Sequence, residues 1–61
     1  MRIRELRKEK KITQVQLAEK LNLRQSAIAA WESGRTSPRA EQIPILAKIF
    51  GCTIDELFRE V

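Results

Sequence analysis

Apolar residues recur along this chain at intervals of three and four, the spacing that places side chains on one face of an α-helix. Ile3 and Leu6 open the pattern, and Leu17, Ala18 and Leu21 continue it. The alternation typical of strands and internal repeats are both absent from the sequence. The pattern predicts an all-α fold, a compact bundle of five short helices in a single domain over residues 1–61. The predicted helices cover about 2–10, 14–21, 25–32, 41–50 and a fifth segment that opens after Thr53.

Two pairs of polar side chains predict where helices begin. Thr13 precedes the second helix and has Gln16 three residues later, while Thr53 and Glu56 stand in the same relation before the fifth. In such a capping box, each side chain bonds a backbone N–H that the helix leaves without a partner. Both helices should therefore begin immediately after their threonine.

Helix ends are marked by residues that tolerate the left-handed backbone conformation. Asn22, Gly34 and Gly51 follow the second, third and fourth predicted helices. Pro44 would break a helix that had already begun at Pro38. We therefore expect an irregular or single-turn start, with the main fourth helix beginning near residue 41.

The composition argues against several function classes. The chain has no histidine and no tyrosine, so neither a Ser/His/Asp nor a Cys/His arrangement can form, and we expect no enzyme activity. The single cysteine, Cys52, has no partner for an internal disulfide or a metal site, so we expect a small core residue and neither metal nor cofactor. No apolar run approaches the roughly 18 residues that span a membrane, and the basic start lacks a signal peptide's apolar segment. We expect a cytoplasmic protein.

The net charge of +4 is unevenly distributed along the chain. Residues 1–11 carry six basic and two acidic side chains, residues 12–40 carry four and two, and residues 41–61 carry two and four. A basic first two thirds points to an anionic partner, for which nucleic acid is the commonest candidate. An ordinary solvated helix surface is the alternative from charge alone.

Two helices of about eight residues, joined by a turn of three to four residues, form a predicted helix-turn-helix over about 14–33. Its sequence, TQVQLAEKLNLRQSAIAAWESG, with the SP after it and FGCTIDELF near the end, resembles the lambda-repressor-like, Cro-type (XRE) helix-turn-helix family of bacterial and phage regulators. The resemblance covers essentially the whole chain. It implies a lambda-repressor-like DNA-binding domain whose second motif helix enters the major groove.

The resemblance also implies which residues contact double-stranded DNA. The base-facing positions are Gln25, Ser26, Ala29 and Ala30. The phosphate-binding positions are Gln14, Arg24, Ser33, Arg35 and Arg39. Glutamine pairs with adenine through two hydrogen bonds, an alanine methyl fits the thymine methyl, and arginine on phosphate adds affinity without reading sequence. Plain helix initiation for Gln25 and Ser26, and solvated loop charge for Arg35 and Arg39, are the alternatives.

Three further residues are expected to support the third helix. The family commonly joins its first helix to the end of the third through a charged pair, a pattern that Arg7 and Glu32 match. A plain surface ion pair is the alternative and would contribute only around 0–1 kcal/mol. Trp31 stands three residues after Ile28, a spacing that predicts a core position rather than stacking on bases.

Apolar residues near the end of the chain suggest self-association. Leu57, Phe58 and Val61 offer more apolar surface than one short helix needs, and a symmetric pairing there would place two recognition helices on one face of DNA. We therefore expect a homodimer interface at these residues. Completion of the monomer core by Leu57 and Phe58 is the alternative.

Taken with the resemblance, these features predict a sequence-specific transcriptional regulator, a repressor that occupies an operator as a homodimer. Ala29 and Ala30 leave the centre of the reading face without long polar side chains. Direct base reading should therefore be modest and concentrated near the first turn of the third helix. The same alanine-rich face fits a second function, a protein-interaction module such as an antitoxin or adaptor that keeps the fold.

Overall fold

The computed structural model of the chain describes residues 1–59. Its elements follow in the order α1 Ile3–Glu9, α2 Gln14–Leu21, α3 Gln25–Ser33, a 3-10 turn Ala40–Gln42, α4 Ile43–Phe50 and α5 Ile54–Phe58. The predicted all-α fold is confirmed, and the described residues contain no strand. None of the helices within residues 1–59 is long and apolar enough to cross a membrane.

The start of α4 accommodates its proline as the sequence predicted. Pro44 lies in the first turn of the helix, where its missing N–H costs no helical hydrogen bond. The 3-10 turn before it is the expected single-turn start, although α4 itself begins at Ile43 rather than near residue 41. The backbone N–H of Arg39 donates to the Gln42 side-chain oxygen at 2.8 Å, which secures this turn.

Every helix contributes to one apolar core. The buried apolar side chains are Ile3, Leu6, Leu17, Ala18, Ile28, Leu46, Ala47, Phe50 and Leu57. Complete burial of a large apolar side chain stabilises the fold by roughly 1.5–3 kcal/mol, so this core holds the short helices together. Trp31 and Cys52 pack against the core but stay partly exposed, so they lie at its edge rather than inside it.

One residue expected at a dimer interface belongs to the core instead. Leu57 is 0% exposed, so the expectation that it faces a second subunit is corrected: the chain's own helices already enclose it. Phe58 follows it by one residue, a rotation of about 100° around the helix, and is 49% exposed. Val61 lies outside the described residues.

Both predicted capping boxes are present. Gln16 N–H donates to Thr13 Oγ1 at 3.1 Å, and Thr13 N–H donates to Gln16 Oε1 at 2.9 Å. The corresponding distances between Thr53 and Glu56 are 3.1 and 3.3 Å. A side-chain cap of this kind is worth about 1 kcal/mol, which is substantial for helices of eight and five residues.

Four helices end with the same backbone arrangement. The residues in the left-handed conformation are Lys11 (φ 57°), Asn22 (φ 60°), Gly34 (φ 81°) and Gly51 (φ 64°). After each of them, the next backbone N–H donates to the carbonyl five residues earlier, at distances between 2.8 and 3.1 Å. Asn22, Gly34 and Gly51 confirm the predicted helix ends. Lys11 was not expected, because its Cβ disfavours this conformation.

Lys11→Gly is expected to stabilise the fold. The Cβ costs about 1–2 kcal/mol in the left-handed conformation, and glycine loses more backbone entropy on folding, so we expect a net gain of about 1 kcal/mol. Urea unfolding followed by circular dichroism measures this change. Lys11→Ala is the matched control, because it removes the same charge and keeps the Cβ. An equal gain in both variants would mean that the lysine charge, not the backbone conformation, is responsible.

Candidate nucleic-acid interface

The carboxylate of Glu32, in the last turn of α3, joins three helices. Its side chain is 1% exposed. Oε2 accepts from Arg7 Nε at 2.6 Å, and Oε1 accepts from Arg7 Nη2 at 3.2 Å. Oε1 also accepts from Gln14 Nε2 at 3.0 Å and from Arg4 Nε at 3.3 Å. The expected pair of Arg7 and Glu32 is therefore present, and because the Glu32 side chain is withdrawn from water, it is not a plain surface ion pair.

Arg7 also donates a hydrogen bond to the backbone of the turn between α1 and α2. Its side chain is 12% exposed, and its Nη1 donates to the backbone oxygen of Ile12 at 2.8 Å. The guanidinium therefore closes the turn between α1 and α2 while it pairs with Glu32. Removing one member of a buried ion pair costs about 3–5 kcal/mol, because the other charge is left without a partner. The pair thus fixes α3 relative to α1.

The surroundings of Glu32 act on its pKa in opposite directions. Burial by itself raises the pKa, because a charge withdrawn from water is less stable. The hydrogen bonds from Arg7, Gln14 and Arg4, together with the charge of Arg7, outweigh burial, so the pKa of Glu32 is lowered overall. Glu32 is therefore ionised at neutral pH and offers hydrogen-bond acceptors only.

Two glutamine amides lead from Glu32 to the surface. Gln14 is the first residue of α2, and Gln25 is the first residue of α3. Gln25 Nε2 donates to Gln14 Oε1 at 3.2 Å, and Gln14 Nε2 donates to Glu32 Oε1 at 3.0 Å. Gln14 is half-buried and Gln25 is exposed. The exposed amide at the start of α3 is thus held by a buried carboxylate at the end of the same helix.

The other expected base-facing residues lie further along α3. Ser26 is exposed in the first turn, next to Gln25, whereas Ala29 and Ala30 are half-buried. The two alanines are therefore partly packed against the rest of the chain and offer methyl groups only. Exposed hydrogen-bonding groups on the base-facing positions are concentrated in the first turn of α3.

The expected phosphate-binding arginines flank α3. Arg24 immediately precedes the helix, Arg35 lies in the loop after it, and Arg39 precedes the 3-10 turn; all three are exposed. Arg24 supplies no side-chain cap to α3. Ser33 is also exposed, but its hydroxyl donates to the Ala30 carbonyl at 3.1 Å. The proton of Ser33 is therefore engaged within α3.

Two contacts of Glu32, with Arg4 and with Gln14, were not predicted from the sequence. Arg4 lies three residues before Arg7 on α1, a spacing that directs both guanidinium groups to the same side of the helix. That spacing was the available signal, and the Arg4 side chain, 54% exposed, is the outermost member of the network. The contact of Gln14 with Glu32 gave no signal in the sequence, because it depends on how α2 packs against α3.

The succession of α2, a three-residue turn and α3 matches a known family. A helix-turn-helix family model matches residues 3–57 of the chain. The chain belongs to this helix-turn-helix family. The match and the helices of residues 1–59 together confirm the lambda-repressor-like fold that the motif implied. No solved structure gave a significant match.

Helix-turn-helix relatives among curated proteins carry regulatory names. The chain is 45% identical over 56 residues to the HTH-type transcriptional activator BcrR of Enterococcus faecalis, covering 92% of this chain and 28% of that protein. It is 41% identical over 59 residues to the immunity repressor protein of Bacillus phage phi105, covering 97% and 41%. It is 35% identical over 54 residues to the HTH-type transcriptional regulator YobD of Bacillus subtilis, covering 88% and 48%. The chain thus spans less than half the length of each of these relatives.

Acid is expected to destabilise this helix-turn-helix through Glu32. Because the pKa of Glu32 is lowered by folding, its stabilising effect is fully present above the unfolded pKa and is lost as pH falls through the folded pKa. Glu32→Gln should cost about 3 kcal/mol near neutral pH and should flatten the decline in acid. Urea titrations at a series of acidic pH values measure both effects.

Glu41→Gln provides the control for this experiment, because Glu41 is exposed in the 3-10 turn. The stability of that variant should follow the native pH profile. Parallel profiles for the native chain and Glu32→Gln would contradict the role assigned to the Glu32 carboxylate.

Proposed function

We propose that this chain binds double-stranded DNA and regulates transcription by occupying an operator as a homodimer. The observation that carries the proposal is the exposed amide of Gln25, the first residue of α3 in a helix-turn-helix. Gln14, the first residue of α2, accepts a hydrogen bond from this amide and holds it in place. The names of the relatives support regulation of transcription, and they include both an activator and a repressor. We propose repression, because occupancy of an operator requires no further chemistry.

In the proposed complex, α3 lies in the major groove and α2 crosses the DNA backbone, the arrangement of helix-turn-helix proteins. Gln25 pairs with adenine through N6 and N7, and Ser26 bonds a neighbouring base edge. Ala29 and Ala30 place their methyl groups against thymine methyls. Direct reading is therefore limited to the first turn of α3, and DNA shape supplies the remaining specificity.

Contacts to phosphate supply much of the affinity in this proposal. The groups involved are Arg24, Arg35, Arg39, Ser33 and Gln14. Gln14 uses one amide proton for Glu32 and has a second for a phosphate at the N-terminus of α2, where the helix dipole favours anions. Ser33 takes part when its hydroxyl turns away from Ala30. Each phosphate contact by an arginine releases counterions and makes binding weaker as salt rises.

The homodimer is proposed to form through α5. Phe58 is exposed, and Ile54, four residues earlier on the same side of the helix, is also exposed. A five-residue helix with two exposed apolar side chains and a buried Leu57 has one face for the core and one for a partner.

DNA binding is tested by fluorescence titration of the native chain with sequences selected from a random duplex library. We expect salt-dependent binding, with Gln25→Ala losing about 5- to 100-fold in affinity for the selected sequence and little for unrelated DNA. Arg39→Ala should weaken binding to all sequences and reduce the salt slope by about 1.

Lys48→Ala serves as the charge-matched control for Arg39→Ala, because Lys48 lies on α4 in the acidic last third of the chain. Its affinity for DNA should stay close to native. Absence of binding by the native chain at low salt would overturn the proposal and favour the protein-interaction module. An activity of that kind would survive the combined substitution of Gln25 and Arg39.

Self-association is tested by analytical ultracentrifugation at micromolar concentration. The native chain should sediment as a dimer, and Phe58→Lys should sediment as a monomer, because a charge in the contact cannot be solvated there. Val15→Lys is the matched control, since Val15 is an exposed apolar residue on α2. That variant should remain a dimer. A strictly monomeric native chain would exclude the pairing through α5 in free solution.

A further inference from the structure

The two hydrogen bonds that connect Gln25 to Glu32 have the same direction: Gln25 donates to Gln14, and Gln14 donates to Glu32. An ionised carboxylate has no proton to donate, so Gln14 must turn its NH₂ group toward Glu32 Oε1. The opposite orientation would place two acceptor oxygens about 3.0 Å apart with no proton between them. The lowered pKa of Glu32 keeps this constraint in force at neutral pH.

The orientation of the Gln14 amide determines which hydrogen-bonding groups of Gln25 are available to contact a base. With its NH₂ on Glu32, Gln14 presents its oxygen to Gln25 and accepts one of the two Nε2 protons. Gln25 then retains one N–H donor and its Oε1 acceptor. Adenine offers an acceptor at N7 and a donor at N6 in the major groove, which is the complement of that pair.

Guanine offers acceptors at both N7 and O6 and therefore requires two donors. Gln25 has only one amide proton left while Gln14 accepts the other. If Gln14 reversed, its NH₂ would bond Gln25 Oε1, and both protons of Gln25 would face the DNA. Base preference at Gln25 thus depends on the orientation of an amide that never touches the base.

We propose that Glu32 is a specificity-determining positioning residue, which selects adenine over guanine by fixing, through Gln14, the direction in which Gln25 presents its amide. This inference rests on the proposed DNA-binding function of α3. Glu32 lies at the opposite end of α3 from Gln25 and is buried, so it acts on the base only through the two glutamines.

Glu32→Gln should release this constraint. The introduced amide has a single oxygen, and at the Oε2 position that oxygen keeps the 2.6 Å contact from Arg7 Nε, the shortest of the hydrogen bonds that Glu32 accepts. The longer contacts to Oε1, from Arg7 Nη2 at 3.2 Å and Arg4 Nε at 3.3 Å, are lost in this arrangement. The introduced NH₂ then takes the Oε1 position and needs an acceptor. Arg4 and Arg7 offer donors only, so the oxygen of Gln14 is the acceptor within reach. Gln14 reverses, and Gln25 turns two donors toward the DNA.

The experiment compares affinities for matched duplexes. Sequences are selected from a random library with the native chain, and the base pair read by Gln25 is identified as the one whose preference disappears in Gln25→Ala. Competition titrations then use two duplexes that differ only by A·T or G·C at that pair. The native chain should prefer adenine by about 10- to 100-fold. In Glu32→Gln this ratio should fall to about 1 or reverse.

Two further variants separate orientation from stability. Gln14→Met leaves the pair of Arg7 and Glu32 intact but allows the Gln25 amide to rotate, so the ratio of adenine to guanine affinity should fall to about 1 to 3. If Glu32→Gln does not fold, this variant alone tests the inference. Arg4→Met removes one donor to Glu32 and leaves the amide chain in place. Its ratio should equal the native ratio even where its overall affinity is lower.

The outcomes distinguish this inference from the function on which it rests. A native chain that selects no DNA sequence would overturn the proposed function. A native chain that selects DNA but shows no preference for adenine at the pair read by Gln25 would overturn the inference alone. Unchanged ratios in Glu32→Gln and Gln14→Met would do the same, because a purely structural role lowers affinity for both duplexes equally.

Discussion

The orientation of α3 in this small fold depends on one buried carboxylate, that of Glu32. Withdrawing Glu32 from water is costly, and the chain offsets that cost with donors from Arg7, Arg4 and Gln14, which belong to α1 and α2. Helices of seven to nine residues are marginal on their own, because each must overcome an unfavourable nucleation step. Because the Glu32 carboxylate accepts hydrogen bonds from two neighbouring helices, it fixes the orientation of α3 relative to α1 and α2, which a thin apolar core alone does not determine.

The apolar core and the hydrogen bonds of Glu32 and Gln25 hold different parts of α3. Ile28 anchors the middle of the helix in the core, while Glu32 ties its end to α1 and Gln25 ties its start to α2. Gly34 then ends the helix in the left-handed conformation. A helix held at its middle and both ends presents its first turn in one orientation, as recognition of base edges by short side chains requires.

Sequence reasoning succeeded where the signal is local. The capping boxes at Thr13 and Thr53 involve residues three apart, and Asn22 and Gly34 end helices through their own backbone preferences. It failed where contacts between residues far apart in the sequence determine the position of a side chain. Leu57 and Phe58 are neighbours on a helix too short to reveal a face, so their core and surface positions could not be separated. The chain from Gln25 to Glu32 requires α2 and α3 to be already in contact.

The role of Glu32 in presenting Gln25 is tested most directly by a crystal structure of the chain bound to a duplex selected from a random library. We expect α3 in the major groove, Gln25 bonded to an adenine edge, and Gln14 still donating to Glu32 Oε1 at close to 3.0 Å. A complex in which α3 faces away from the DNA, or in which Gln14 has turned away from Glu32, would contradict this role.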